Sequence, residues 1–233
     1  MNAVVGLPLN AWALRTSKVI IPVASHGDAS SEQAQANGKS DRRMTILAFV
    51  FTTSGIVSIG VATNLPGLFT ALGASSAAAI AAASLMGPAQ VAARIIEYGA
   101  KRWSNPLVSA KVANALHPVA ALALMLPGAS SIAWFALIHG AGNGILTIAR
   151  GTLPLALFGP EGYGSRIGKI AAPSRIGQAV APFLFGMVIE RFGAGMLTLS
   201  CALSLAALLA LFRLAMPSVA SSDVEQMADK DGS

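Results

Sequence analysis

Residues 44–93 contain no charged side chain, and this feature constrains the fold more than any other. A helix crosses the hydrocarbon core of a membrane in about 20 residues. The uncharged segment is more than twice as long, so it must cross and return. Backbone groups in hydrocarbon must form their hydrogen bonds within the protein, so both crossings are predicted to be helices. The breakers Asn64, Pro66 and Gly67 favour one span at residues 44–65 and a second at 75–96.

The composition supports a membrane protein and excludes several other classes. Hydrophobic residues make up 54% of the chain and charged residues 11%, with a mean hydropathy of +0.64. The net charge is +6, but the basic residues are scattered between apolar segments. A nucleic-acid-binding protein has its basic residues clustered on one polar face, so the pattern argues against nucleic acid as a partner. Cys201 is the single cysteine and lies in an apolar run, so no disulfide or zinc spacing exists. We expect no cofactor, no metal and no enzymatic activity.

Four more apolar segments complete a predicted all-α bundle of six transmembrane spans. The third ends at Pro127, the fourth ends at Arg150, and the fifth begins with the basic residues Arg166 and Lys169 in its first turns. The predicted spans three to six cover residues 106–126, 131–150, 163–193 and 194–215. The predicted organisation is the end of a preceding helix or an interfacial segment at 1–22, a cytoplasmic linker at 23–43, the bundle at 44–216 and a disordered cytoplasmic tail at 217–233.

The distribution of basic residues predicts the orientation of the bundle. If the N-terminus is cytoplasmic, every Lys and Arg except Arg191 falls on a cytoplasmic segment or its flank. The uncharged hairpin at residues 127–130 then faces the other side of the membrane. We therefore expect an integral protein of a cell membrane, such as the bacterial inner membrane, with both termini in the cytoplasm.

The fifth span concentrates the unusual residues of the chain, and two segments resemble a known family. The first segment contains Arg175, Ile176, Gly177, Gln178, Ala179, Val180, Ala181 and Pro182, then Gly186 and Glu190, Arg191, Phe192 and Gly193. It resembles the eleventh helix of major facilitator superfamily transporters. The loop residues Glu97, Lys101 and Arg102 resemble the second copy of the cytoplasmic loop motif of that family, with Tyr98 in place of the usual arginine.

The resemblance covers nearly the whole chain and corresponds to the C-terminal six-helix half of such a transporter. It implies a secondary active transporter of small solutes in the lipid bilayer, as a uniporter, symporter or antiporter. The first half is not in this sequence, so we expect a partial chain. Two alternatives are an inactive half-transporter and one that acts only as a dimer or with a partner half. The Ala, Gly and Ser faces at residues 75–96 and 131–150 favour self-association.

Polar residues inside the spans are the candidates for the substrate path, because a charge in hydrocarbon is costly. Arg175 either faces an anionic substrate, or a carboxylate of the absent half, or snorkels to the surface. His117 precedes Pro118 and serves either a proton relay or the carbonyl freed by the proline. The other candidates are His139, Asn143, Gln90 and Gln178, which could bind substrate or hold helices together.

A hydrolytic alternative rests on Ser130 and His139, which together resemble the serine–histidine pair of an intramembrane protease. Nine residues separate them, about 13 Å along one helix. This reading therefore requires a base from another helix.

Overall fold

The computed structural model describes residues 30–100, 105–126, 128 and 130–214. The chain divides into two units, Met1–Asn37 and Gly38–Ser233, and the bundle below belongs to the second. The described residues form helices and no strands, which confirms the all-α prediction for this part of the chain. The helices are α1 Ser30–Ala71, α2 Ser76–Ser84, α3 Met86–Ala100, α4 Pro106–Ala123, α5 Ser130–Phe158, α6 Tyr163–Phe192 and α7 Met196–Phe212, with a 3-10 turn at Gly193–Gly195 before α7.

Within the described residues, four helical segments are long and apolar enough to cross a membrane. They are Ser40–Ala71, Ser76–Gly99, Ser130–Phe158 and Tyr163–Phe212. These segments are consistent with an integral membrane protein. Helix α4 is not among them, and α6 and α7 fall within one segment of 50 residues.

The first helix passes through the predicted break at Pro66 and ends only at Ala71. Asn64 connects α1 to α6 just before the proline, because its Nδ2 donates to the carbonyl of Gly60 at 2.9 Å and to that of Pro182 on α6 at 3.2 Å. The helix is closed by Gly73, whose φ of 91° is readily accessible only to glycine. The break expected at residues 64–67 was therefore wrong, and the turn lies one to two helical turns later.

Two other predicted boundaries also differ from the structure. The second span is divided at Leu85 into α2 and α3, since Pro88 has no N–H to donate to the carbonyl of Ser84. The fourth span does not end at Arg150 but continues as α5 to Phe158. Helix α1 begins at Ser30, inside the segment interpreted as a linker.

Two apolar clusters, one toward each end of the bundle, contain most of the buried residues. The first cluster includes Val61, Phe69, Phe135, Phe185 and Met196. The second cluster contains Leu47, Val50, Phe51, Leu107, Ala110, Ala149, Leu153, Leu157, Ile170, Ala207, Leu211 and Leu214. Along α1, α4, α5 and α7 alike, the positions between the two clusters hold buried or partly buried polar side chains.

Glycines on α5 let neighbouring helices approach to backbone contact. A Cβ added at Gly140 would lie 2.7 Å from the carbonyl oxygen of Met86 on α3, and one at Gly144 would lie 2.5 Å from that of Gln90. A Cβ at Gly142 would lie 3.0 Å from the carbonyl oxygen of Ala113 on α4. The glycines of this segment thus serve close helix packing within the chain.

Candidate functional site

A polar layer lies between the two apolar clusters and contains three of the predicted candidates, His117 on α4 and His139 and Asn143 on α5. We define the polar layer as Ser54 and Ser58 of α1, Asn114 and His117 of α4, His139 and Asn143 of α5, and Ser200 and Ser204 of α7. No Asp, Glu, Lys or Arg belongs to it. His117 and His139 are both nearly inaccessible to solvent, at 4% and 2% exposure.

The two histidines contact each other directly through their Nδ1 atoms, which are 2.8 Å apart. Nε2 of His117 lies 2.9 Å from the hydroxyl oxygen of Ser200, and Nε2 of His139 lies 3.3 Å from the amide nitrogen of Asn143. The hydroxyl of Ser58 donates to Oδ1 of Asn143 at 2.5 Å. A continuous line of hydrogen bonds therefore joins α1, α5, α4 and α7 at the polar layer.

His117 was expected either to relay protons or to satisfy the backbone freed by Pro118. Its two ring nitrogens bond to side chains of α5 and α7 instead of to a carbonyl. His139 likewise uses both nitrogens on His117 and Asn143, so neither is bonded to Ser130. The geometry therefore gives the serine–histidine alternative no support.

A small cavity of about 20 Å³ opens against the histidine pair. Its lining includes Ser54, Ser58, Asn114, Asn143 and Ser204 together with both histidines. A volume of this size holds about one water molecule, and the polar lining supplies the partners that a buried water needs.

A second and larger cavity, of about 210 Å³, lies between α1, α5 and α6. Two arginines from different helices, Arg150 of α5 and Arg175 of α6, line it together with Tyr163, Ser174 and Gln178. The remaining lining residues are Phe51, Gly151, Ile167, Ile170 and Ala171. Among the described residues, no carboxylate lines the cavity, so the two arginines share it without a counter-charge from this part of the chain. We call it the arginine cavity.

Arg150 is the most unusual side chain of the arginine cavity. Its Nε and Nη2 atoms are buried and have no hydrogen-bond partner. Arg166, by contrast, donates to the carbonyl oxygens of Phe158 and Glu161 at 2.8 and 2.9 Å, so it stabilises the end of α5. Buried donors are almost always paired in folded proteins, so the two unpaired donors of Arg150 are an exception among the described residues of the cavity.

Arg175 and Gln178 were predicted substrate-path residues, and the structure brings both to the arginine cavity. The Arg175 side chain is exposed, whereas Gln178 is held by a hydrogen bond of 2.8 Å from its Nε2 to the hydroxyl of Ser174. Ser174 in turn donates to the backbone carbonyl of Phe51 on α1 at 2.9 Å. The cavity is thereby connected to the helix that also carries Ser54 and Ser58 of the polar layer.

The remaining predicted residues lie elsewhere. Gln90 faces Arg94 on α3, with 3.5 Å between its Oε1 and the Nη2 of the arginine, and lines neither cavity. Glu97 accepts a hydrogen bond from the hydroxyl of Ser109 on α4, which ties the end of α3 to α4. Lys101 and Arg102 of the loop motif lie outside the described residues. In the described part of the chain, no group of three or more His, Cys, Asp or Glu residues could hold a metal ion.

Sequence reasoning missed Arg150 because it treated that arginine as the end of a span. A signal was present, since the apolar residues of LPLALF follow Arg150 and predict that the helix continues. Ser58 and Ser200 were missed for a different reason. Serines in apolar helices are common, and no feature of these two distinguishes them from their neighbours in the sequence.

The comparisons with known proteins do not assign a family. The sequence matches no protein-family model and none of the curated proteins.

Proposed function

We propose that this chain moves small anionic solutes across a membrane as a secondary transporter, organised like one six-helix half of a major facilitator protein. The observation behind the proposal is Arg150, which lines a cavity together with Arg175 and has two buried donor atoms without a hydrogen-bond partner. A charge buried without a partner is strongly unfavourable. An anion bound in the cavity would supply a counter-charge for Arg150 and Arg175.

The chemistry of the cavity favours an oxyanion such as a carboxylate, a sulfonate or a phosphate. The planar guanidinium group matches two oxygens of such a group at once. A volume of about 210 Å³ is smaller than the 300–1,000 Å³ of pockets for drug-sized ligands, so the proposed solute is small. Apolar side chains such as Phe51, Ile167 and Ile170 can cover its nonpolar part.

A six-span arrangement is part of the proposal and is supported by helix lengths. The segment Tyr163–Phe212 contains 50 residues, about 75 Å of helix, whereas a membrane core is about 30 Å thick. The turn at Gly193–Gly195 divides it into two helices that could each cross the membrane. Helix α4 has 18 residues and is about 27 Å long, close to the thickness of a membrane core. Its one charged residue, Lys111, lies near the start of the helix, and its Nζ is 4.4 Å from the ring centre of Phe212 at the end of α7.

The first test is anion binding to the purified full chain in detergent, with sodium benzenesulfonate and inorganic phosphate as probes in titration calorimetry. Arg150→Gln removes the charge and the guanidinium fork but keeps a polar side chain. Hydrogen bonds to charged groups contribute about 1.5–3 kcal/mol, so affinity should fall about 10- to 100-fold. Because the substitution also removes an unpaired buried charge, the thermal unfolding midpoint without anion should rise.

Arg191→Gln is the matched control, since Arg191 is exposed at the end of α6 and does not line the cavity. It removes the same charge from the same chain and should leave binding unchanged. Equal affinity of the Arg150→Gln variant and the unaltered protein for both probes, or no binding by either, would contradict the proposed function.

A further inference from the structure

The contact between the two histidines requires one shared proton. Two Nδ1 atoms 2.8 Å apart form a hydrogen bond only if one of them holds a proton and the other offers its lone pair. Two unprotonated nitrogens would repel, and so would two N–H groups. His117 and His139 therefore adopt opposite tautomers when both rings are neutral.

The neighbours determine which histidine donates. The amide nitrogen of Asn143 donates to Nε2 of His139, because Oδ1 of the same amide already accepts from Ser58. His139 must then hold its proton on Nδ1 and donate it to His117. His117 in turn holds its proton on Nε2 and donates to Ser200, whose hydroxyl donates to the carbonyl oxygen of Leu197 at 3.0 Å.

We propose that the His117–His139 pair is a binding site for a single proton, and that this proton is the ion coupled to anion movement through the arginine cavity. The first part rests only on the geometry of the pair. The second part, the coupling, rests on the proposed transport of anions. The site and its ligand differ from those of the arginine cavity, so each can be tested alone.

The pair binds one proton and not two because of the hydrogen bond that the two rings share. A proton from water binds at Nε2 of His139 and forms an N–H bond there, which gives one imidazolium and one neutral imidazole with the Nδ1–H···Nδ1 bond intact. A second proton would have to bind at Nδ1 of His117 and would set two N–H donors against each other at 2.8 Å. The cavity beside the pair has room for one water molecule, which would deliver the proton and take it back on release.

No formal charge faces the pair from any helix packed against it. The facing polar groups are Ser54 and Ser58 from α1, Asn114 from α4, Asn143 from α5, and Ser200 and Ser204 from α7. Lys111, Arg150 and Arg175 are the nearest charged residues along their helices, and none lines the small cavity. The bound proton would thus be the single formal charge of the polar layer, and its arrival would change the local electrostatics strongly.

A mechanical link joins the proton site to the arginine cavity. Protonation of Nε2 of His139 turns it into a donor, so the amide of Asn143 must rotate to present its oxygen, and the bond from Ser58 is lost. Ser58 lies on α1 within about 10 Å of Phe51, whose carbonyl holds Ser174 and, through it, Gln178. Residues 51–58 of α1 therefore contact both sites, and proton uptake alters the contacts of that segment.

The tautomers provide the first test. The full chain, labelled with 15N in its histidines, is placed in lipid bilayers, and the nitrogen shifts are measured by NMR at alkaline pH. We expect one buried histidine protonated on Nδ1 and the other on Nε2, with His26 available as the reference histidine of the same chain. Two Nε2-protonated signals from His117 and His139 would overturn the inference.

Ser200→Ala is a conservative second variant that tests the direction of the line of hydrogen bonds. It removes the acceptor of the Nε2–H of His117, and a buried N–H without a partner is rarer than a free acceptor. The reversed tautomers, with His117 protonated on Nδ1, should therefore become populated. Unchanged shifts in this variant would contradict the proposed line from Asn143 to Ser200.

Proteoliposomes test the coupling. Benzenesulfonate stays ionised across the working pH range, so it does not leak across the bilayer as a neutral acid, and an imposed pH gradient should make the full chain accumulate it. In the His139→Gln variant, exchange of internal for external benzenesulfonate should persist, while the ratio of internal to external benzenesulfonate falls to one. The control is His26→Gln, which should accumulate the probe like the unaltered chain. Continued accumulation by His139→Gln would show that the histidine pair does not couple protons to transport. If the unaltered chain moves no benzenesulfonate, both the transport function and the coupling are contradicted. The NMR experiment, continued by titration to acidic pH, then decides the proton site alone: one of the two buried rings should become doubly protonated, and double protonation of both rings or of neither would contradict the site.

Discussion

Arg150 and Arg175 line the same cavity, but their environments differ in a way that predicts different energetic roles. Arg150 has two buried donors without partners, whereas Arg175 is exposed. A charge that water can reach is screened, so its attraction for an anion is weaker than that of a desolvated charge. We infer that Arg150 supplies most of the affinity and that Arg175 attracts and orients the anion.

This difference predicts the outcome of substitutions at Arg175. Arg175→Leu should weaken benzenesulfonate binding by less than Arg150→Gln does, by about 10-fold at most, because the lost charge is solvated. Arg175→Lys should keep part of the affinity, since it retains the charge and loses the planar fork. Titration calorimetry on both variants measures the effect. If Arg175 only snorkels to the membrane surface, Arg175→Leu will bind like the unaltered chain.

Individual polar residues could be predicted from the sequence, but their partners could not. Arg175 and Gln178 lie three residues apart, so one helix face necessarily presents both, and the structure places both at one cavity. His117 and His139 were recognisable singly as polar residues in apolar helices. They are 22 positions apart in the sequence, and their contact depends on how α4 and α5 are rotated about their axes. The spacing of residues along the sequence does not determine that rotation.

At the scale of elements, the sequence predicted which segments are helical more reliably than where each one ends. Pro66 was interpreted as a break, although the helix continues through it to Ala71. The true end at Gly73 had a signal in the glycine before Ala74 and the capping Ser75. Proline signals are ambiguous inside membranes because side chains and neighbouring helices can satisfy the freed backbone groups.

Close packing of α5 against α3 predicts strong intolerance at Gly144. Gly144→Ala would bring its Cβ to 2.5 Å from the carbonyl oxygen of Gln90, a backbone atom that cannot move without shifting α3. Overpacking of this kind costs about 1–3 kcal/mol. The thermal unfolding midpoint of the purified chain, followed by circular dichroism, should therefore fall.

Gly168→Ala in α6 is the control for that substitution, because nothing lies within 4 Å of a Cβ at Gly168. Alanine is the better helix former by about 1 kcal/mol, so this variant should be as stable as the unaltered chain or more stable. Equal midpoints for the two alanine variants would show that α3 and α5 are not in backbone contact in the membrane-embedded protein.

At the scale of the whole molecule, a layer of polar side chains separates two apolar clusters. Burial of apolar side chains on both sides holds α1, α4, α5 and α7 together, while the histidine pair between them is buried and has hydrogen-bond partners at all four ring nitrogens. A site at mid-height, with apolar packing above and below, is the arrangement expected where a membrane protein must handle a charge inside hydrocarbon. Composition predicts such a bundle, but the alignment of the layer across four helices appears only in three dimensions.

The proposed six-span bundle makes a definite prediction about topology. Arg150 lies eight residues before the end of α5, and Arg166 and Lys169 lie in the first turns of α6, so the junction of α5 and α6 is basic. Basic junctions face the cytoplasm, and the uncharged connection between α4 and α5 should face the opposite side. A phosphatase reporter inserted at residues 127–130 should therefore be active outside the cytoplasm. A fluorescent reporter fused after Ser233 should read as cytoplasmic. Four spans instead of six, with α4 outside the membrane and Tyr163–Phe212 crossing once, would place the reporters on the same side and contradict the six-span bundle.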